Sequence, residues 1–293
     1  MIGFIGGSGL YELDGLEGVT QRVIETPFGA PSDAYVVGRL HGREVCFLPR
    51  HGRGHRLLPT EINHRANIFG FKLLGAERVI SVSAVGSLRE EVRPRDVVLP
   101  DQYFDRTKQS LAHTFFGGGV VGHVSFAHPG CAVLRPVMAA TIRETAKTMA
   151  RDVRVREGGT YVCMEGPMFS TKAESHGYRS LGFDVIGMTS LPEAKLCKEA
   201  EICYQAMAMI TDYDCWHETE APVTVEMVIG HLTSNTGLAK QVLQALIPRL
   251  PEQRPDCACG HGLEGAIMTQ REAMPADVVA RLRPILGRHV QTL

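Results

Sequence analysis

The sequence predicts an α/β fold built around a central, largely buried β-sheet flanked by helices. Short runs of apolar and β-branched residues alternate along the chain with longer segments of helical periodicity. Such alternation is typical of a sheet that helices cover. No internal repeat or linker interrupts it before Arg249. Residues 1–248 are therefore expected to form one domain, with residues 249–293 as a tail packed on it.

The predicted elements follow one another in a regular order. Strands are expected at Ile2–Ile5, Val45–Leu48, Arg78–Ser83, Asp96–Leu99, Tyr161–Met164, Asp184–Gly187 and Ala206–Thr211. Helices are expected at Thr60–Leu74, Val133–Ala150, Lys172–Leu181, Pro192–Ala200 and Val223–Ile247. The tail begins with a loop at Arg249–Gly265 and ends in a helix near Ala276–Leu286. Because ligands in such folds bind where strands end, functional residues are expected in the loops that follow strands.

Composition excludes several classes of function. The chain carries 31 lysines and arginines against 32 acids, which leaves no net basic field for nucleic acid or an anionic membrane. The first residues, Met1–Ile5, lack a basic leader, and no apolar run reaches the roughly 18 residues of a membrane span. We therefore expect a soluble, cytoplasmic protein that holds any bound anion with local groups.

Eight cysteines are not the density of a disulfide-stapled secreted domain in a chain of 293 residues. Six are expected to be isolated buried thiols: Cys46, Cys131, Cys163, Cys197, Cys203 and Cys215. Cys257 and Cys259 form a C-x-C pair in the tail, and we predict that this pair is structural and reduced. Such a pair can also close a small strained disulfide. The acids discussed below lack a His and Cys cluster with metal-ligand spacing, so no metal site is predicted.

The first predicted strand leads into a glycine-rich segment that contains Ser8. Glycines let the backbone turn sharply and direct amides and a hydroxyl at an anion. The segment is not a dinucleotide fingerprint, because Glu12 stands where the third glycine belongs, and the chain has no G-x-x-x-x-G-K-[ST] phosphate loop. A plain tight turn is the alternative.

A cationic loop follows the strand that ends at Leu48. Its charged and titratable residues are Arg50, His51, Arg53, His55 and Arg56. A guanidinium offers a planar fork that suits phosphate, and an imidazole adds a donor or moves a proton. A solvated surface patch is the alternative, but the two glycines of the loop favour a binding role.

A third loop is predicted at residues 83–87. It supplies the Ser83 hydroxyl, the small residue Ala84 and the permissive Gly86. Three strand ends thus offer donor sets of phosphate size, which form an oxyanion cradle if they converge. Three unrelated turns are the alternative.

Two acids, Asp212 and Asp214, follow the very apolar strand Ala206–Thr211. A bend here would direct both carboxyls into a site. A simple turn with one acid capping the next helix is the alternative.

These segments occur in one order together with residues 63–67, 164–170 and 187–194, whose sequences are NHRAN, MEGPMFS and GMTSLPEA. The ordered set resembles the 5'-methylthioadenosine phosphorylases, which are trimeric nucleoside phosphorylases, over roughly residues 1–250. The resemblance implies a mixed sheet, a homotrimer, and no metal or organic cofactor beyond the phosphate co-substrate. It also implies phosphorolysis of S-methyl-5'-thioadenosine to adenine and 5-methylthioribose 1-phosphate, in purine and methionine salvage.

The resemblance also implies roles for single residues. It assigns phosphate binding to Ser8, Arg50, His51, Ser83, the Ala84 amide and Thr189. It places Phe169 and Ser170 beside the purine, Met188 at the ribose hydroxyls, and Asp212 and Asp214 at the base edge. The family often has threonine where this chain has Ser8 or Ser83, and serine keeps the donor.

The expected chemistry explains the two acids. Phosphate attacks the anomeric carbon through an oxocarbenium-like transition state while the bonding electrons leave with the purine. Asp212, protonated or holding a shared proton, would hydrogen-bond N7, and Asp214 would accept from the exocyclic 6-amino group. A 6-oxo purine lacks that donor, so the second acid predicts a preference for adenine.

The 5'-group is expected to lie between two regions. Val225, Val228 and Ile229 form an apolar stripe on a predicted helix that would receive a methylthio group, with an ordinary core stripe as the alternative. His123 matches a family position that reaches into the neighbouring subunit's 5'-pocket, with an exposed loop histidine as the alternative. The resemblance thus implies a pocket shared between subunits.

Two rival functions remain at this point. One is a phosphorylase of the same fold acting on 5'-methylthioinosine, inosine or guanosine, which the pair of acids disfavours. The other is a non-catalytic nucleotide-binding or redox module built on the glycine loop and the C-x-C pair. The incomplete fingerprint and the lack of a suitable C-x-x-C disfavour that module.

Overall fold

The computed structural model describes residues 1–7, 10, 13–108, 110–218 and 225–290. Eleven strands within these ranges form one sheet. They are β1 (Ile2–Gly6), β2 (Glu17–Arg22), β3 (Tyr35–Leu40), β4 (Arg43–Pro49), β5 (Arg78–Ser87), β6 (Val97–Leu99), β7 (Gln102–Arg106), β8 (Val155–Glu157), β9 (Thr160–Met164), β10 (Val185–Gly187) and β11 (Cys203–Asp212). The helices are α1 (His64–Leu73), α2 (Leu134–Thr148), α3 (Lys172–Ser180), α4 (Ser190–Glu199), α5 (Val225–Leu246), α6 (Ala276–Arg281) and α7 (Arg283–Leu286).

The sheet divides at β5. One arm runs β2-β3-β4-β1-β5, and β5 continues on one side to β10-β9-β7 and on the other to β11-β6-β8. β1 pairs in parallel with residues 78–81 of β5, whereas β10 pairs antiparallel with Gly86 and Ser87. Residues 82–85 of β5 therefore pair only with β11 among the described strands. The mixed sheet confirms the predicted fold class and leaves a gap at the centre of β5.

Side chains alternate between two hydrophobic clusters on the opposite faces of the sheet. In β4, Val45 and Phe47 belong to the cluster that includes α2 and α5, whereas Cys46 and Leu48 belong to the cluster that includes α1 and α4. Phe47 stacks on Phe4 of β1 with ring centroids 4.9 Å apart. The strands are thus apolar in both directions because helices cover both faces.

The tail contributes to both clusters. Cys259 lies in the cluster with α2 and α5, and Leu263 and Ile285 lie in the other. These contacts fit a tail packed on the body, and the boundary at residue 248 stays a prediction. No helix in the described part of the chain is long and apolar enough to span a bilayer.

All seven predicted strands and all five helices before the tail form, within a few residues of the predicted bounds. The prediction missed β2, β3, β7 and β8; β2 is exposed along its whole length, so no apolar run marks it. The final helix is divided at Leu282 into α6 and α7. The predicted loop at residues 83–87 is wrong, because β5 continues to Ser87 through its pairing with β11 and β10.

Gly187 is required by a close approach between β10 and β9. A Cβ atom at this position would lie 2.0 Å from Tyr161 Oη and 3.2 Å from Val85 Cγ1. Tyr161 is fully buried, so its ring has no room to move away. We expect Gly187→Ala to lower the free energy of unfolding by about 1–3 kcal/mol, measured by urea denaturation.

Gly177 provides the matched control. It lies inside α3, and a Cβ atom there would meet nothing within 4 Å. Gly177→Ala is expected to raise the free energy of unfolding by about 0.5–1 kcal/mol, because alanine favours a helix. Wild-type stability in Gly187→Ala would show that the approach to Tyr161 does not constrain this position.

Candidate active site

The candidate site lies at the gap in the sheet. Ala84 is exposed in the middle of β5, although its neighbours Ser83 and Val85 are buried. Ser83 Oγ is buried and has no hydrogen-bond partner among the described residues. A buried hydroxyl without a hydrogen-bond partner destabilises the folded protein. A ligand that hydrogen-bonds to this hydroxyl would therefore form a more stable complex.

Arg50 lies below this gap and is only 2% exposed. Its Nε donates to Glu193 Oε1 of α4 at 2.5 Å, its Nη1 to the Val82 carbonyl at 3.0 Å, and its Nη2 to Ser81 Oγ at 2.7 Å. Glu193 is fully buried, and its Oε2 also accepts from the Tyr204 hydroxyl at 3.0 Å. The guanidinium thus joins the end of β4 to β5 and α4. The sequence motifs include Glu193, but nothing in its spacing predicts this bond.

His51 follows Arg50 in the turn after β4. Its Nδ1 lies 2.9 Å from the Leu57 carbonyl, and its ring stacks on His55 with centroids 4.3 Å apart. Burial and the nearby Arg50 charge lower the pKa of His51 to about 4. The ring is therefore neutral at pH 7. Because a carbonyl only accepts, we assign the proton to Nδ1, which leaves Nε2 as an acceptor.

Thr189 occupies the N-terminal end of α4. It is buried, and its side chain makes no capping hydrogen bond to the helix. Its hydroxyl is therefore not committed to the helix that it precedes. A helix N-terminus also presents amide groups that favour an anion.

Asp212 ends β11 beside Gly86 of β5. A Cβ atom at Gly86 would lie 3.0 Å from Asp212 Oδ1, so a larger residue here would crowd the carboxylate. Asp212 Oδ1 accepts from the Asp214 amide at 2.8 Å, and Oδ2 accepts from the Thr211 hydroxyl at 2.7 Å. These two donors fix the orientation of the carboxyl group.

Asp214 is 8% exposed and has a left-handed φ of 53°. Its Oδ2 accepts from the Ser175 hydroxyl at 2.5 Å. Burial raises the pKa of Asp214, the bond from Ser175 opposes that rise, and the charge of Asp212 adds to it. The sequence prediction gave Asp212 a proton of its own or a shared one, and the raised pKa of Asp214 fits the shared proton. Ser175 lies on α3, and no sequence signal connects it to the acids.

Ser170, one of the residues predicted beside the purine, lies next to the segment that carries the acids. Cys215, directly after Asp214, donates from Sγ to the Ser170 carbonyl at 3.2 Å. Phe169 is 53% exposed, as a side chain over an open site would be. Met188 packs against the backbone of Gly166, where a Cβ atom would lie 2.6 Å from the Met188 sulfur. Ser170 therefore lies beside the acids, and Met188 lies beside Gly166, four residues before Ser170 in the same loop.

Other predicted site residues are not brought into this region by the described structure. Ser8 lies outside the described residues. Val225, Val228 and Ile229 form the first turns of α5, as predicted, but their side chains are outside the described part. His123 is exposed, and its backbone amide donates to the Ala266 carbonyl of the tail at 2.8 Å.

The low pKa of His51 makes stability depend on pH. The unfolded chain binds a proton at His51 below pH 6.5, but the folded chain does so only near pH 4. Stability is therefore lost as the pH falls from about 6.5 to 4, by at most about 3 kcal/mol from this residue. We expect His51→Gln to show a shallower loss in urea denaturation across this window. The exposed His128→Gln variant should match wild type, and a wild-type slope in His51→Gln would contradict the assignment.

Comparisons with known proteins agree with this geometry. Residues 1–248 match the model of the phosphorylase superfamily. The chain is 54% identical to an S-methyl-5'-thioadenosine phosphorylase of Geobacter sulfurreducens over 99% of both chains. A methylthioadenosine phosphorylase structure from an Antarctic soil metagenomic library superposes with a TM-score of 0.91 at 45% identity, covering 97% of this chain and 98% of the other.

A more distant structure shows the same fold. The methylthioadenosine phosphorylase of Schistosoma mansoni in complex with adenine has a TM-score of 0.81 at 29% identity, covering 98% of this chain and 97% of the other. The resemblance found in the sequence motifs is thereby confirmed. Because the family model matches residues 1–248 and the relatives align with nearly the whole chain, the protein belongs to the phosphorylase superfamily.

Proposed function

We propose that the protein catalyses phosphorolysis of S-methyl-5'-thioadenosine to adenine and 5-methylthioribose 1-phosphate. It is a pentosyltransferase of purine and methionine salvage. The observation that carries the proposal is the position of the Asp212 carboxyl and the Asp214 Cβ atom against Gly86, on the strand that also holds the unpartnered hydroxyl of Ser83. The relatives that align with the whole chain carry the same activity in their names.

Phosphate is held by Ser8, Arg50, His51, Ser83, the Ala84 amide and Thr189. Ser83 and Thr189 support this assignment with hydroxyls that have no bond to the strand or helix that carries them. Arg50 contributes mainly through its charge, since protein partners engage Nε, Nη1 and Nη2 and leave one Nη1 hydrogen. His51 Nε2 accepts a hydrogen bond from a protonated phosphate oxygen. Alternatively, it takes up a proton and donates a hydrogen bond to the phosphate dianion.

The bound phosphate attacks the anomeric carbon as the bond to the purine breaks. Its negative charge stabilises the oxocarbenium-like sugar, so no protein nucleophile is needed. We propose that phosphate is the co-substrate and that the reaction uses no metal or organic cofactor. The protein contributes position and fixed dipoles, which act more strongly in a site shielded from water.

The two acids act on the leaving purine. Asp212 faces N7 and Asp214 the 6-amino group, and the pair holds one proton between them. The raised pKa of Asp214 supports a proton shared within the pair rather than one confined to Asp212. Phe169 and Ser170 flank the base, and Met188 contacts the ribose.

The assembly is proposed to be a cytoplasmic homotrimer. The exposed position of His123 supports a role in covering the 5'-group bound by the neighbouring subunit. Val225, Val228 and Ile229 of the first subunit complete the methylthio pocket.

A substrate panel tests the function. Methylthioadenosine, methylthioinosine and inosine are each incubated with and without inorganic phosphate, and free base is measured by chromatography. We expect adenine from methylthioadenosine only when phosphate is present, with slower release of hypoxanthine. Faster hypoxanthine release would favour the 6-oxopurine alternative, and binding without turnover would favour a non-catalytic module.

Variants of the two acids separate their roles. Asp212→Asn should lower kcat for every substrate by roughly a hundred- to thousandfold, because it removes a contact made mainly in the transition state. Asp214→Asn should lower the preference for 6-amino over 6-oxo purines, by about 1–3 kcal/mol, because an amide offers a donor to O6. The ratio of kcat/KM for methylthioadenosine and methylthioinosine measures this preference.

The exposed Asp152 supplies the control, since Asp152→Asn removes an acid that is part of no site motif and should leave both quantities unchanged. An unchanged preference in Asp214→Asn, or full turnover in Asp212→Asn, would refute the assignment of the acids without affecting the family.

His123→Ala tests the shared pocket. We expect KM for methylthioadenosine to rise more than KM for phosphate, because the substitution removes a contact to the 5'-group alone. His128→Ala, another exposed histidine of the same segment, is the control. An active monomer, detected by sedimentation under assay conditions, would exclude the shared site.

A further inference from the structure

Four cysteine sulfurs meet at the edge of the sheet that is opposite the acids. They come from the loop before α2 (Cys131), the first residue of β11 (Cys203) and the tail (Cys257 and Cys259). All four Sγ atoms lie within 4.8 Å of one another, and those of Cys203 and Cys257 are 3.4 Å apart. The prediction that Cys131 and Cys203 are isolated thiols is therefore wrong, because the fold brings together segments that are distant in sequence.

The spacing of the sulfurs fits a tetrahedral metal ion. Zinc binds thiolate at about 2.3 Å, so the edges of a tetrahedral four-sulfur site measure about 3.8 Å. A disulfide bond needs sulfurs about 2.0 Å apart, and the four cysteines are all free thiols. A donor set of four sulfurs selects zinc or iron over magnesium, calcium or manganese.

We propose that Cys131, Cys203, Cys257 and Cys259 bind one zinc ion, which fastens the tail to the body of the protein. Each ligating thiol releases its proton to solvent as it binds. The ion with four thiolates carries a net double negative charge, so the surroundings must offset it. The expectation that the chain has no metal site is thereby revised for a structural site remote from the reaction.

The surroundings supply suitable partners. Cys131 lies three residues before Leu134, the first residue of α2, so its thiolate lies close in the chain to the free amides at the start of that helix. Arg78 is the register partner of Cys203 in the parallel pair of β5 and β11, and it borders a cavity of about 50 Å³ together with Cys203 and Cys257. Amide donors and a nearby cation are the kind of outer contacts that hold thiolate ligands in place.

The position of the cluster assigns it a structural role. Cys203 and Asp212 are the two ends of β11, a strand of ten residues that extends roughly 30 Å. An ion at Cys203 is too far away to touch a substrate at the acids. The proposal therefore stands or fails independently of the phosphorolysis activity.

Metal analysis of the full-length protein tests the site. The protein is expressed with added zinc and purified without chelators, and the metal content is measured by mass spectrometry. We expect about one zinc per chain in wild type and less than about 0.1 per chain in Cys257→Ser and in Cys259→Ser. Cys46→Ser and Cys163→Ser change fully buried cysteines outside the cluster and should keep the zinc.

Two further measurements keep the test sharp if a variant folds poorly. Cobalt added to the metal-free wild type should give the intense thiolate charge-transfer absorption of a four-sulfur site, and zinc should abolish it. A chelator should lower the melting temperature of wild type by several degrees, and zinc should restore it. In Cys257→Ser neither addition should change the melting temperature.

Several results would overturn the proposal. One is reduced, folded wild type that is supplied with zinc and contains less than about 0.1 zinc per chain. Another is zinc retained in both tail variants. A third is a disulfide between any two of the four cysteines, found by alkylation and intact mass in freshly purified protein. Loss of phosphorolysis in folded Cys257→Ser would contradict the structural role.

Discussion

The buried ion pair between Arg50 and Glu193 is the interaction on which the site depends. It lies under the gap in the sheet and ties the end of β4 to β5 and to the first turn of α4. Breaking such a pair by removing one partner leaves a buried charge and costs about 3–5 kcal/mol. The same pair sets the electrostatics around it, because the Arg50 charge helps to keep His51 neutral. Since Glu193 offsets part of that charge, a bound dianion also relies on hydroxyls and amides, which add directional hydrogen bonds.

The divided sheet explains how such donors become available. Backbone groups in the middle of a sheet normally pair on both sides. In β5 the pairing with β1 ends at Ser81 and the pairing with β10 begins at Gly86, so the intervening residues have a strand on one side only. The backbone groups on one side of a central strand are thus available to a ligand, and the outermost strands of the sheet are not involved. Rigid strand residues hold their donors more firmly than a loop would.

The sequence predicts the parts of the fold that are buried on both faces. Strands such as β11, which is buried at all but its last residue, are visible as apolar runs. β2 is invisible because it is exposed and held only by hydrogen bonds to β3. The predicted loop at residues 83–87 fails for a related reason, because small residues such as Ala84 and Gly86 are typical of turns, whereas here Ala84 is exposed at the gap and Gly86 lies against Asp212.

Some site residues can likewise be predicted from the sequence, and others cannot. Those that the motifs carry, such as Asp212 and Asp214, are found at a strand end before the structure is known. Ser175 and Glu193 act through contacts between elements far apart in sequence, and their residue types occur throughout the chain. The four cysteines show the limit most clearly: only the C-x-C pair is local, and the fold supplies the other two sulfurs.

The direction of the parallel strands also places the tail contact and the site of the reaction at opposite ends of the strands. β1, β4, β5 and β11 run in the same direction, so their carboxyl ends meet at one edge and their amino ends at the other. Arg50 and the acids belong to the first edge, which is where ligands bind in such sheets. Cys203 and Arg78 begin strands at the opposite edge, where the tail is held. Because β11 pairs with β5 from Cys203 to Asp212, this one strand connects the two edges and holds the tail contact and the acids at its opposite ends.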